Sequence, residues 1–515
     1  MELARSLDES HLFGAAALGF GGPWVAMGVV DEALLALLED AAHRLGGATG
    51  ALRAKVLSRL AMELYFAEGS LGRRTSLADE ALEVASALGD RQLRAEVLAA
   101  RHFALWGPDN VEERLADATS IAQIAREIRS DELALAGHHW RIIDLVELGD
   151  VIVADREIES MAKLAERVRI PVFLWQVALH RAARAHFAGR FAEAERFAFE
   201  ALEHGRRAQP ESADASFAVH MLALRRDQGR VAEIVERAEQ LARRNPGFAV
   251  LEIYAACAHA ELGRRATVTA ELARLEGKGF TNLPRAYWWL GTIASLAEIV
   301  TALGDRDRAR VLYDLLSPFA RRNVVQGRAS AWLGSAARYL GLLAFTLERY
   351  DEAARHFEEA LRHNVLMGAR PFEARTRLEH ARTLLVLGER EKAAVLASEA
   401  REIADELGMG GLWPGIETLL VELASGQAPP APASAGNAFL REGQFWTLRF
   451  QGRVVRLKDS RGLELMAWLL RHPGREFHAI ELASVTSAAT DRVEIGARAI
   501  VEDGLSATRL EGGDD

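Results

Sequence analysis

The chain has 515 residues, of which 50% are hydrophobic and 26% are charged, and its formal net charge is −10 at pH 7. This composition is typical of a folded globular protein long enough for two or more domains. The overall negative charge gives no general attraction to nucleic acid, so any DNA contact must be local. The single cysteine, Cys257, excludes an internal disulfide and a thiolate metal cluster. Apolar runs are too short to cross a membrane, so we expect a cytoplasmic protein.

A recurring pattern closes one helix at a glycine and begins an Ala-rich amphipathic helix two residues later. Glycine suits this position because it accepts the left-handed conformation that ends a helix. The spacings between successive starts run from 34 to 44 residues, and most are near 40. The sequence therefore predicts that second helices of successive hairpins start at Val151, Phe191, Val231, Arg265, Arg306, Tyr350 and Arg390.

Small residues recur three positions after most of these starts, where two helices of a hairpin approach each other closely. The alanines at this step are Ala154, Ala194, Ala309, Ala353 and Ala393. Residues 339–361 resemble a tetratricopeptide repeat, and the matching positions are Leu340, Gly341, Tyr350, Ala353, Phe357 and Ala360. The resemblance covers residues 1–424 with looser register elsewhere. It implies an all-α fold, a right-handed superhelical solenoid of tetratricopeptide-like helix hairpins.

The period near 40 resembles the tetratricopeptide-like region of bacterial signal-transduction ATPase regulators of the maltose-activator (MalT-like, LuxR-type) class. The resemblance implies that the chain corresponds to the downstream half of such a transcriptional regulator, with a nucleotide-binding domain encoded upstream. A solenoid whose repeats contact only their neighbours offers a long concave surface for a partner. The resemblance places five polar residues on that face, as contacts for a protein, a peptide or a small-molecule signal: His139, His186, Arg226, Arg338 and Arg382. The alternative is that they are ordinary solvated residues.

Motifs that would carry catalysis are not found in the sequence, so we predict a non-enzymatic protein without cofactor or metal. Adjacent histidines, His138 and His139, point about 100° apart on a helix, and no third ligand is spaced to complete a metal site. Large aromatic residues in helical repeats usually fill helix interfaces. The aromatic run Tyr287 to Trp289 is the one cluster that we consider as a ligand contact.

A Pro- and Ala-rich segment, residues 425–437, predicts an extended linker between the helical domain and a C-terminal module, residues 438–515. In the module, alternation around Gln451-Gly452 predicts a β-hairpin. A helix capped by Asp459 or Ser460 should follow and carry one apolar stripe, formed by Leu463, Met466, Leu469 and Leu470.

This order of elements is similar to the opening half of a winged helix-turn-helix domain. Residues 440–478 hold eight Arg and Lys against four acids, which is typical of a small phosphate-contacting module. The residues predicted to contact DNA are Arg449, Arg453, Arg456, Lys458, Arg461 and Arg475. The segment after residue 478 departs from the pattern, because it is acidic and contains no recognisable recognition helix. We therefore expect a regulatory protein whose module docks on DNA or on a partner, and the alternative is an interaction scaffold with no DNA role.

Overall fold

A computed structural model describes residues 9–21, 25, 28, 30–47, 50–245, 249–276, 282–425, 438–442, 445–450, 453–471 and 493–494. The chain divides into two compact units, Met1–Ala428 and Pro429–Asp515. The division falls inside the segment predicted to be a linker. Among the described helices, none is long and apolar enough to cross a membrane.

The first unit consists mainly of α-helices, as predicted. Their bounds are α1 Ser10–Phe20, α2 Glu32–Leu45, α3 Ala51–Glu63, α4 Leu71–Leu88, α5 Arg91–Ala104, α6 Val111–Ile128, α7 Asp131–Leu148, α8 Val151–Val168, α9 Pro171–Phe187, α10 Phe191–Ala208, α11 Pro210–Asp227, α12 Val235–Arg244, α13 Ala249–Glu261, α14 Arg265–Glu276, α15 Trp289–Leu303, α16 Arg306–Leu316, α17 Ala336–Thr346, α18 Tyr350–Met367, α19 Arg370–Val386, α20 Arg390–Leu407 and α21 Trp413–Ala424.

The predicted helix starts are confirmed. Six of the seven positions begin an α-helix, and Val231 begins a short 3-10 turn before α12. The preceding glycines have positive φ angles, for example 85° at Gly149 and 82° at Gly189. Glu348 takes this place before α18 and also has a positive φ, 59°. Several starts are reinforced by capping, since the Asp150 carboxylate accepts a hydrogen bond from the Val153 amide.

Close helix packing explains the small residues of the repeat. All five alanines three positions after the starts are fully buried. In the α17–α18 hairpin, a Cβ on Gly341 would lie 2.6 Å from the Phe357 ring, which is far inside van der Waals contact. Glycine is therefore required at this crossing, as in the tetratricopeptide pattern. Helix hairpins with tight small-residue contacts are the part of the resemblance that the structure supports.

The prediction that each repeat contacts only its neighbours is wrong. A β-hairpin of β1 (Asn323–Gln326) and β2 (Ala331–Ser335) interrupts the helices after α16. Strand β1 packs on α7 and α15, and β2 packs on α9, α11 and α17 to α19. The Asn323 side-chain amide donates to the Val146 carbonyl across 177 residues of sequence, at 3.0 Å. The hairpin thus joins helices from several distant repeats.

The second unit contains an antiparallel sheet in the strand order β5, β4, β3, β6, with one described helix. Its elements are β3 Ala438–Glu442, β4 Phe445–Phe450, β5 Arg453–Lys458, α22 Arg461–Arg471 and β6 Val493–Glu494. The predicted hairpin is confirmed as β4 and β5, although its turn lies outside the described residues, and β3 is an additional strand.

The helix of this unit has a narrower buried face than predicted. Leu463 is buried with Ala467 against Trp446 of β4. Met466, Leu469 and Leu470, which the predicted stripe also included, are 40 to 45% exposed. The core of the described module is therefore small, and it is centred on Trp446, whose indole N–H donates to Asp459 at 2.6 Å.

Candidate functional site

The residues predicted to line a concave face are on the first helices of the repeats. His139 lies on α7, His186 on α9 and Arg338 on α17, and all three are buried. These three are therefore not solvated surface residues, and their side chains are not exposed to a partner either. Arg382 on α19 is exposed, and its guanidinium donates to the Gly415 carbonyl at 3.2 Å.

Polar pairs join equivalent positions on successive first helices. His102 lies 2.8 Å from Asp144, His139 lies 3.0 Å from His180, and His186 lies 2.7 Å from Asp227. Arg338 donates from Nε to Glu379 at 2.8 Å. We call these four contacts the interior pairs; their partners are separated by 41 or 42 residues. A step of one repeat along the sequence therefore leads from a residue on the first helix of one hairpin to the equivalent position on the first helix of the next hairpin.

Two predicted arginines, Arg226 and Arg338, are brought together by one acid, Glu298, whose side chain is 13% exposed. Arg226 donates to Glu298 at 2.5 Å, and Arg338 donates to the other oxygen of the same carboxylate at 2.8 Å. Burial disfavours ionisation of Glu298, but the two guanidiniums outweigh it and lower its pKa to about 2. The carboxylate is therefore charged at neutral pH. The other three predicted residues do not join this group.

Asp227 connects distant parts of the helical unit. It contacts His186 from α9, and Arg375 of α19 donates to its second oxygen at 2.9 Å across 148 residues of sequence. Burial alone would raise the pKa of Asp227, but Arg375 and His186 hold it below its ordinary value. Arg375 was not predicted, because no local sequence pattern links α19 with α9 and α11.

Several interior histidines are held neutral by burial. Desolvation lowers the pKa of His180 to about 3 and that of His220 to about 3 as well. His220 hydrogen bonds through Nδ1 to the Ser330 carbonyl of the β1–β2 hairpin at 2.9 Å. Neutral imidazoles suit these positions because they accept and donate hydrogen bonds without the cost of a buried charge. In the part of the chain that is described, no group of three or more His, Cys, Asp or Glu side chains has metal-binding geometry.

The aromatic run that we considered as a ligand contact is divided between two environments. Tyr287 stacks on Trp106 with ring centroids 4.7 Å apart, and its backbone N–H donates to the Tyr65 hydroxyl at 2.9 Å. Trp288 stacks on Phe66 at 5.7 Å. Trp289 instead packs in a separate cluster of buried residues. Tyr287 and Trp288 also line a cavity beside the β1–β2 hairpin, whereas Trp289 does not.

The basic residues of the C-terminal module fall into two groups. Arg456 and Lys458 on β5 and Arg461 at the start of α22 are exposed. Arg449 lies in β4 and Arg453 in β5, but their side chains and the whole of Arg475 are outside the described residues. A further arginine that was not predicted, Arg441, forms a salt bridge with Asp459 at 2.5 Å and another with Glu464 at 3.2 Å.

No protein-family model matches the chain, and no curated protein matches it either. The chemistry of its own residues therefore carries the functional argument.

Proposed function

We propose that the protein is a non-enzymatic regulator, a bacterial transcriptional regulator in which tetratricopeptide-like repeats form a right-handed superhelix that receives a protein, peptide or small-molecule signal. Its C-terminal module docks on DNA. The observation that carries this proposal is the cluster of exposed basic side chains on one edge of a small module separate in sequence from the repeats, formed by Arg456, Lys458 and Arg461.

The position of these side chains supports contact with phosphates. Arg456 and Lys458 are two residues apart on β5, so both point to the same side of the strand. Arg461 is the first residue of α22, where the helix dipole is positive. Backbone amides at a helix start and neighbouring cations together favour a bound phosphate group. Strand β5 is the outer strand of the described sheet.

The helical unit supports the role of signal receiver. Its interior holds charged and polar residues from helices that are distant in sequence, such as Asp227 and Arg375. A ligand that altered one of these contacts would alter the packing of several repeats together. Interiors with alternative packing arrangements are the usual means by which a bound signal changes a distant surface.

A DNA titration of the full chain tests the proposed docking. We expect the wild type to bind duplex DNA non-specifically with a Kd of about 1 to 100 µM, and the affinity should fall steeply as salt is raised. The double variant Arg456→Glu/Lys458→Glu should lose this salt-dependent binding. The matched control Arg206→Glu/Arg207→Glu makes the same charge change on exposed residues of α10 and should retain it. Fluorescence anisotropy at two salt concentrations measures both variants.

The second candidate function is a protein-interaction scaffold with no DNA role. It is favoured by the exposed apolar side chains of α22, Met466, Leu469 and Leu470. Clustered exposed apolar residues are typical of protein contact sites. Absence of DNA binding by the wild type at low salt would favour this function, and unchanged binding by Arg456→Glu/Lys458→Glu would contradict docking through β5.

A further inference from the structure

A cavity lies in the helical unit beside the tip of the β1–β2 hairpin. Its volume is ≈ 30 Å³, and its apolar walls include Val219, Val250 and Leu251. The polar and aromatic residues around it are Ser212, Ser216, Tyr287, Trp288, Gln326 and Arg328. The lining residues come from α11, α13, the segment before α15 and the hairpin, so the cavity exists only because the hairpin is inserted among the helices.

Arg328, at the hairpin tip, places a positive charge at this cavity. Its guanidinium donates to the Gln209 side-chain oxygen at 3.3 Å. Its Nε is buried without a hydrogen-bond partner, and within the described ranges no carboxylate forms a salt bridge with it. Most interior arginines of this unit, in contrast, contact an acid, as Arg338 contacts Glu298. A partly buried cation without a counter-charge is costly, and a bound anion would relieve the cost.

Buried amides add unused hydrogen-bonding groups to the same place. Gln326 is fully buried, lines the cavity, and has no partner for either its side-chain nitrogen or its side-chain oxygen. The side-chain nitrogen of Gln209 is also buried without a partner. Buried polar atoms normally find partners, so the unpartnered amide of Gln326 at this cavity indicates a missing ligand or solvent molecule.

The start of α11 contributes further positive potential. Pro210 is the first residue of this 18-residue helix, no side chain caps it, and Ser212 in its first turn lines the cavity. Ser212 and Ser216 are 7% and 8% exposed, and both line the cavity. The positive end of the helix dipole and two hydroxyl donors favour a negatively charged group.

We propose that this cavity binds a small organic monocarboxylate. The carboxylate would accept hydrogen bonds from Arg328, Gln326 and the serine hydroxyls, and the short apolar tail would contact Val219, Leu251 and Trp288. The cavity is small, ≈ 30 Å³, so only the shortest carboxylates, such as acetate and propionate, are candidates. This inference rests on the proposed function, because it assigns the chemical class of the signal that the helical unit receives.

The test is a titration of the full chain with propionate by isothermal titration calorimetry, without DNA and with ionic strength held constant by chloride. We expect saturable binding of propionate, and binding of the neutral analogue propionamide at least about tenfold weaker, because the amide lacks the charge that Arg328 recognises. Arg328→Gln should weaken propionate binding by at least about tenfold. The control Arg322→Gln removes a charge near the start of the same hairpin, where Arg322 pairs with Glu112 at 2.6 Å, and should bind normally.

Ser216→Val provides a second variant in case Arg328→Gln does not fold, since valine removes a hydroxyl donor from the cavity wall while keeping a similar size. It should also weaken binding. Equal heats for propionate and propionamide, or wild-type affinity in folded Arg328→Gln or in folded Ser216→Val, would overturn the proposal. The DNA titration uses no propionate, so failure of carboxylate binding and failure of DNA docking are observed independently.

Discussion

The interior and the outer surface of the helical unit use the same kinds of charged residue in different ways. On the outside, Arg184 pairs with Asp155, whose side chain is 42% exposed. In the interior, Arg375 pairs with Asp227, whose side chain is 3% exposed. The Arg184–Asp155 pair joins neighbouring helices, while the Arg375–Asp227 pair joins α11 with α19. Water can replace the partner of an outer charge, but it cannot easily replace the partner of an interior charge.

This difference indicates what each set of charges determines. Exposed ion pairs contribute about 0 to 1 kcal/mol, so the outer pairs have little effect on the choice of fold. A buried charge that loses its partner is strongly destabilising, so contacts such as Asp227–Arg375 favour the arrangement of distant helices in which these charges are paired. The repeats therefore form by local packing, and the interior contacts fix how non-adjacent repeats meet.

The largest expected effect is at Asp227. We expect Asp227→Ala to lower the free energy of unfolding by about 3 to 5 kcal/mol, because Arg375 is left buried without a counter-charge. The matched outer change, Asp155→Ala, should cost about 0 to 1 kcal/mol. Urea unfolding followed by circular dichroism measures both. Similar losses in the two variants would remove the distinction between interior and outer pairs.

The second effect is on acid stability and arises at Glu298. Its pKa in the folded protein is about 2, below the ordinary value of 4.5, so its ionised form stabilises the fold above about pH 4.5. This contribution, about 3 kcal/mol, should be lost as the pH falls from about 4.5 toward 2, because the unfolded chain then binds the proton more readily. Urea unfolding at several pH values measures the slope.

Two glutamine variants separate this effect from general acid unfolding. Glu298→Gln should be less stable at neutral pH and should show a shallower loss of stability between pH 4.5 and 2. Glu159→Gln, on the outer face with its side chain 62% exposed, should keep the wild-type slope. A wild-type slope in Glu298→Gln would show that this carboxylate does not govern acid stability.

The helix hairpins were predictable because their signals are local. A glycine or its equivalent, a two-residue step and an alanine lie within about six residues of one another, and helix termini and close crossings depend on such short patterns. The location of His139 and His186 on the first helices of their hairpins was predicted from the same helix starts. Their burial was not, because it depends on residues more than 100 positions away in sequence.

The interior hairpin was missed although the sequence contains a signal for it. The longest spacing between predicted helix starts, 44 residues, lies between Arg306 and Tyr350, where the hairpin is inserted. Val324 and Val325 precede Gln326-Gly327, which resembles the Gln451-Gly452 turn predicted in the C-terminal module. Strand propensity in so short a segment is weak, and the packing of this hairpin on seven helices could not be deduced from its own residues.

The burial of the β1–β2 hairpin among helices of distant repeats is tested most directly by hydrogen exchange of the full chain, followed in peptides that cover residues 322–336. We expect the amides of Val325 and Trp332 to exchange as slowly as those at the centre of α9, because opening them requires separation of the helices that surround the hairpin. Exchange as fast as that of an exposed loop would contradict the account.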